Sequence, residues 1–168
     1  LPLFSNIIKP DWTVSKDVPY SSGTSNDRKA DFYLLNKGIR PAIILIHGGG
    51  WMSGDKSAYE STAKRYALAG FHVFAVNYTL AKANQPITQW AAQIRDVEEF
   101  LSWLRKNAQS FRGDPSCIVA AGDSAGAHLA LHLGATRKVA AVLNMYGPTD
   151  LSAPEMAATM ATTPVLNY

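Results

Sequence analysis

From Pro41 onward, short apolar runs alternate with longer stretches in which apolar and polar positions interleave, and glycines or prolines punctuate the boundaries. Ala42-Ile-Ile-Leu-Ile46 is uninterruptedly apolar, with Pro41 before it and three glycines soon after. Such a run predicts a strand covered on both faces, as in a parallel sheet. Phe71–Tyr78, Cys117–Ala121 and Val139–Met145 read as further strands of the same kind. Between them lie helical patterns. Ser57 and Glu60 have capping-box spacing, Tyr59, Ala63, Tyr66 and Ala67 follow at helical intervals, and Gly70 supplies a stop. The clearest helix carries Trp90, Ile94, Val97, Leu101 and Leu104 on one face, with charged residues between them. Thr88 suits its N-cap, and Trp90 is expected in the core. Asp114-Pro115 marks a turn, and Ala125–Leu133 reads as one more helix. The polar N-terminal part has turn signals over Ser21–Asp27, flanked by short strands near Val14–Tyr20 and Ala30–Leu35. Strands alternating with helices imply an α/β fold. Its sheet is mostly parallel, sandwiched by helices and joined by right-handed crossovers.

The chain has 168 residues, enough for a single domain spanning 1–168 with a real hydrophobic core. A formal charge of +3 without a run of Lys or Arg points to neither nucleic acid nor membrane as partner. No stretch of 18 apolar residues is present, so no transmembrane helix is expected. Cys117 is the only cysteine, which excludes an intrachain disulfide, and its apolar neighbours predict a buried small hydrophobe. No signal peptide is visible and the chain begins with Leu1, which leaves both cytoplasmic and secreted locations open.

Two motifs carry chemistry. After Cys117–Ala121 comes Gly122-Asp-Ser-Ala-Gly126 and then a helix-forming run. This is G-x-S-x-G between a strand and a helix, where a sharp turn pushes a serine hydroxyl outward. Ser124 is therefore the candidate nucleophile. Small residues at 122 and 126 let strand and helix approach, and the helix start offers backbone N–H groups to a developing oxyanion. The strand Ala42–Ile46 ends in His47-Gly-Gly-Gly-Trp51, whose glycines let the backbone turn its amides toward a ligand. Gly49, Gly50 and Ala125 are the candidate oxyanion donors. His47 is read as a residue that fixes this loop by hydrogen bonds, not as a base.

His47-Gly-Gly-Gly-Trp51, Gly54-Asp55-Lys56, Asn77-Tyr78 and Gly122-Asp-Ser-Ala-Gly-Ala-His-Leu-Ala130, in that order, resemble the α/β-hydrolase superfamily. The nearest likeness is to hormone-sensitive-lipase-like and feruloyl-esterase-like carboxylesterases. The Gly-Asp-Lys and Ser-Ala-Gly-Ala-His segments are also similar to arylformamidases. The resemblance covers roughly residues 14–150. It implies a Ser-His-Asp mechanism through an acyl-enzyme, with no cofactor or metal and a small or medium ester as substrate. Formamide hydrolysis, or a non-catalytic binding role on the same scaffold, stands as the alternative. Trp51, Tyr78 and Trp90 either line the pocket or fill the core.

In that family the acid and then the histidine follow the serine. Here only Asp150 and Glu155 are acidic beyond Ser124, and only His128 and His132 are histidines. Both histidines fall in the helix that begins at the serine, and His72 opens a strand at the wrong end of a parallel sheet. Asp150 follows the last strand and is a weak candidate acid, more simply a turn or cap residue. The expectation is a fold truncated before its last strands, with an exposed apolar edge. Acid and histidine then come from a missing C-terminal segment or a second chain.

Overall fold

The computed structural model describes residues 11–21, 28–82, 86–136 and 138–152. Among the described residues, six strands form one sheet: β1 (Trp12–Pro19), β2 (Lys29–Leu35), β3 (Arg40–Ile46), β4 (His72–Val76), β5 (Gly113–Asp123) and β6 (Ala141–Met145). Their spatial order is β1-β2-β4-β3-β5-β6. β4, β3, β5 and β6 run parallel, while β1 and β2 add an antiparallel hairpin at one side. Three helices, α1 (Glu60–Leu68), α2 (Pro86–Asn107) and α3 (Ser124–Ala135), fill the crossovers.

Burial explains the apolar runs. Residues 42 to 46 of β3 and 73 to 76 of β4 are almost fully covered, because helices pack on both faces of these strands. On one face α2 contributes Val97, Phe100, Leu101 and Leu104, and α3 contributes Leu129 and Leu133. On the other face Ala63 and Ala67 of α1 meet Tyr33, Ile43, Leu45 and Val73. Phe100 is fully buried and packs edge-on against Tyr20, with ring centroids 5.1 Å apart.

Several boundaries differ from the expected ones, each for a local reason. α1 is entered through a 3-10 turn at Lys56–Tyr59, so the Ser57–Glu60 capping box does not form. Asp55 caps that turn, its carboxylate accepting the Ser57 N–H at 2.8 Å. Glu60 is taken up by Lys16 and Lys64. α2 begins at Pro86, the position where proline's missing N–H is harmless, and Thr88 lies inside the helix, not at its cap. β5 starts well before Cys117, and Asp114-Pro115 sits inside it as an irregularity in pairing with β3, where Asp114 accepts bonds from Ser116. Cys117 is free and only half-buried. Trp90 is 43% exposed and does not enter the core. Its ring lies on His128 of α3, because the first turns of α2 face that helix.

β6 pairs with β5 and forms the outer edge of the sheet among the described residues. Leu143 and Tyr146 are exposed there, an apolar edge of the expected kind. Of the N-terminal turn signals, residues 22–27 fall outside the described residues.

A buried ion pair ties the hairpin to the loop after β3. Lys56 Nζ lies 3.1 Å from Asp31 and 2.8 Å from Asp17, and Lys56 and Asp31 are both buried. Asp31 also accepts the Asp17 N–H. Replacing Lys56 with Met leaves the Asp31 carboxylate buried without its cation. The expected cost is about 3–5 kcal/mol, read by urea denaturation. A loss below 1 kcal/mol would show that the pair contributes little.

Candidate active site

β5 passes directly into α3 with no intervening loop, and Ser124 is the first residue of the helix. Its φ is 47°, a left-handed conformation that costs a non-glycine residue about 1–3 kcal/mol. The glycines around it are required by close approach. A Cβ on Gly122 would lie 2.5 Å from the Gly126 backbone and 2.6 Å from the Ile46 carbonyl oxygen. A Cβ on Gly126 would overlap the carbonyls of both Ile46 and His47. Ala125, buried in the first turn of α3, keeps an N–H without an intrahelical acceptor.

β3 and β5 are parallel neighbours with Ile46 opposite Gly122. The loop after β3 and the turn after β5 therefore leave the sheet side by side, at the carboxyl ends where α/β sheets hold their ligands. Gly49 (φ 116°), Gly50 (φ 58°) and Trp51 (φ 62°) all turn through the left-handed region. The Gly49 carbonyl accepts bonds from the amides of Met52 and Ser53 at 3.1 and 3.0 Å, closing the loop on itself. Gly49 and Gly50 are exposed, while His47 and Gly48 are buried.

The loop is pinned from outside by side chains. Tyr78 donates its hydroxyl to the His47 carbonyl at 2.9 Å, and Gln93 donates to the Trp51 carbonyl at 2.9 Å. Asn77 accepts the Lys56 N–H at 2.6 Å and donates to Asp55 at 2.7 Å. Asp123 accepts the Gly48 N–H at 3.0 Å and the Tyr59 hydroxyl at 2.6 Å, both on one carboxylate oxygen. Burial, reinforced by Asp123, raises the Tyr59 phenol well above its usual range, so it stays a donor. Asp123 and Tyr59 were not singled out from the sequence. The only signal was a carboxylate at a variable position of G-x-S-x-G beside a tyrosine at helical spacing.

His47 opens the loop with Nδ1 2.8 Å from the Gly48 carbonyl, which fixes that nitrogen as the donor. Its ring stacks on Tyr78, with centroids 4.5 Å apart. Burial lowers its pKa, so the ring is neutral and Nε2 is an unpartnered acceptor. A crevice of about 350 Å³ opens here, lined by His47, Gly48, Asp55, Tyr59, Asp123 and Tyr146.

The other histidines are engaged away from Ser124. His128 is flanked by Trp51 edge-on at 5.6 Å and Trp90 stacked at 5.5 Å. His132 pairs with Glu98 at 3.0 Å. His72, at the start of β4, accepts the Leu35 N–H at 3.1 Å. Asp150 is exposed and accepts the amide and hydroxyl of Ser152, the geometry of a local turn. Glu155 lies outside the described residues. Trp51 and Tyr78 are buried. Among the described residues no group of three His, Cys, Asp or Glu is placed to hold a metal, and no helix is long and apolar enough to cross a membrane.

The BD-FAE family model matches residues 31–166. The chain belongs to the BD-FAE family. Its relatives include esterases, and esterase structures share its α/β-hydrolase fold. Esterase LipQ of Mycobacterium tuberculosis is 32% identical over 123 residues, covering 69% of this chain and 28% of LipQ. Carboxylesterase NlhH of the same organism is 38% identical over 90 residues, covering 53% of this chain and 27% of NlhH. Among solved structures, a truncated carbohydrate esterase from gut microbiota superposes with a TM-score of 0.68 at 31% identity. That match covers 76% of this chain and 45% of the esterase. Esterase B of Lactobacillus rhamnosis, inhibited by a tributyrin phosphonate, superposes with a TM-score of 0.70 at 25% identity. It covers 90% of this chain and 54% of esterase B. The chain thus spans about 30% of the length of the curated relatives it matches.

Two outcomes test this geometry. Gly126→Ala forces the start of α3 away from β3 and is expected to cost about 1–3 kcal/mol or more in chemical denaturation. A neutral result would mean that the contact relaxes freely. The second concerns Asp55. Burial alone would raise its carboxyl, but bonds from Ser57 and Asn77 prevail and hold it at about 2. A lowered folded-state pKa contributes stability that is complete above the unfolded value of about 3.9 and is lost as pH falls toward 2. Asp55→Asn should flatten the decline of the melting temperature between about pH 4 and 2. An unchanged slope would remove Asp55 from that transition.

Proposed function

We propose that this chain carries the nucleophile and oxyanion elements of a serine carboxylic-ester hydrolase acting on small or medium esters. The observation that carries the reading is Ser124, held at a left-handed φ on the strand–helix junction beside the glycine loop. Strain of this kind persists only where the surroundings enforce it, and here the enforcing contacts hold Ser124 at the carboxyl ends of β3 and β5. Membership of the BD-FAE family and the esterase names of its relatives support the same chemistry.

In the proposed reaction the Ser124 hydroxyl attacks the ester carbonyl and passes its proton to a base. The N–H groups of Gly49, Gly50 and Ala125 receive the oxyanion. Each such donor is worth about 2.7–4 kcal/mol in the transition state. Collapse expels the alcohol and leaves an acyl-enzyme, which water then cleaves with the same base acting again. No cofactor enters this scheme. In this scheme the base and its acid partner come from a further segment or a second chain, because His47, His72 and His132 are held by other groups and the His128 ring is wedged between Trp51 and Trp90. On this reading the 168 residues alone do not turn over ester.

The test is intact-mass labelling of the natural polypeptide with a fluorophosphonate, beside Ser124→Ala, together with hydrolysis of p-nitrophenyl acetate. One adduct on the wild type, none on the variant, and loss of hydrolysis in the variant are expected. Hydrolysis that survives Ser124→Ala would overturn the mechanism.

A further inference from the structure

We propose that Asp123 is a positioning residue for ester hydrolysis, holding the amides of Gly49 and Gly50 at a fixed distance from Ser124. The inference rests on Ser124 being the nucleophile and on the glycine loop being its oxyanion site.

Asp123 and Ser124 are adjacent in the chain, as are Gly48 and Gly49. The bond from Gly48 N–H to Asp123 Oδ1 therefore joins the residue before the nucleophile to the residue before the first oxyanion donor, across 75 positions of sequence. No other bond described above joins the two parts of the site so directly. The same Oδ1 accepts the Tyr59 hydroxyl, so the carboxylate is itself held by a third element, the turn leading into α1. Tyr59 is buried, and a bond from a neutral donor to a charged acceptor is among the stronger kinds.

Sterics point the same way. A Cβ on Gly48 would lie 2.5 Å from Asp123 Oδ2 and 3.0 Å from the Asp123 carbonyl oxygen. The first glycine of His47-Gly-Gly-Gly50 is thus required by the Asp123 carboxylate, whereas Gly49 is required by its own turn. The buried Gly48 amide has this carboxylate as its acceptor, and removing it leaves an unpaired buried N–H that drives the loop to shift. Oxyanion donors work only within about 2.7–3.1 Å of the oxyanion, and a displacement of about 1 Å costs on the order of a hundredfold in rate.

Three variants of the natural full-length polypeptide test this: Asp123→Ala, Asp123→Asn and Tyr59→Phe. Rates are normalised to the fraction of folded protein, read from each variant's unfolding curve, so loss of folded protein does not count as loss of rate. Asp123→Ala is expected to lower kcat about tenfold to a hundredfold with KM little changed. It should weaken a trifluoromethyl ketone transition-state analogue by the same factor. Asp123→Asn, whose amide oxygen can accept the same two bonds, should keep kcat within about threefold of wild type, and Tyr59→Phe should fall between them. A normalised kcat for Asp123→Ala within twofold of wild type overturns the proposal and leaves the nucleophile reading intact. So does an Asp123→Asn rate as low as that of Asp123→Ala, which also serves if the alanine variant fails to fold. A wild type that takes no fluorophosphonate label sinks the nucleophile reading, and this proposal with it.

Discussion

The constraint on which the rest of this molecule depends is the contact between the start of α3 and the end of β3. Gly126 lies so close to the carbonyls of Ile46 and His47 that no side chain fits between them. That proximity seats α3 on the seam between β3 and β5, and it leaves the chain no room for a relaxed turn between β5 and α3. Ser124 absorbs the sharp change of direction in its own φ. The same contact brings the glycine loop alongside, because the Ile46 carbonyl that faces Gly126 is the last of β3 before His47. Strain at the serine and juxtaposition of the two motifs are thus two results of one packing event.

Around this seam the fold spends most of its buried polar side chains. Lys56, Asp31, Gln93, Asp96 and His47 are all buried, and all but Asp96 bond within or next to the segment from His47 to Lys56. Asp96 instead receives the Thr79 N–H, two residues before Ala81 donates to the Trp51 carbonyl. A glycine-rich loop has high conformational entropy when free, so its shape must be imposed by partners. With Asn77, Tyr78 and Asp123, these partners come from β2, the segment after β4, α2 and the end of β5, so the loop's shape is imposed by several elements and not by its own sequence.

That division explains what was legible beforehand. The central strands and α2 were readable because burial on both faces, or on one stripe, writes a repeating apolar pattern, as in Ala42–Ile46 and in Val97, Leu101 and Leu104. G-x-S-x-G was readable because steric exclusion at Gly122 and Gly126 acts at fixed spacing. The entry to α1 differs from the expected capping box because the chain first closes a 3-10 turn, which Asp55 caps in place of Ser57. Trp90 was misplaced because a helical stripe does not reveal where a neighbouring helix replaces the sheet as its packing surface. Asp123 and Tyr59 were invisible because their bond spans 64 residues, and no local pattern encodes a contact of that range.

The histidines argue most sharply about where a base can stand in the proposed reaction. His128 is four residues along α3 from Ser124, which places it about 6 Å up the helix axis, wedged between two indole rings. His47 opens the glycine loop, yet its Nδ1 proton is committed to the Gly48 carbonyl and its ring is stacked on Tyr78. Turning that ring toward Ser124 would break the bond that shapes the loop, at the point where the oxyanion donors begin. One residue cannot both fix the loop and leave it. Serving as base is therefore incompatible with the structure that gives the loop its shape, and the proposed reaction assigns the proton from Ser124 to a group other than His47.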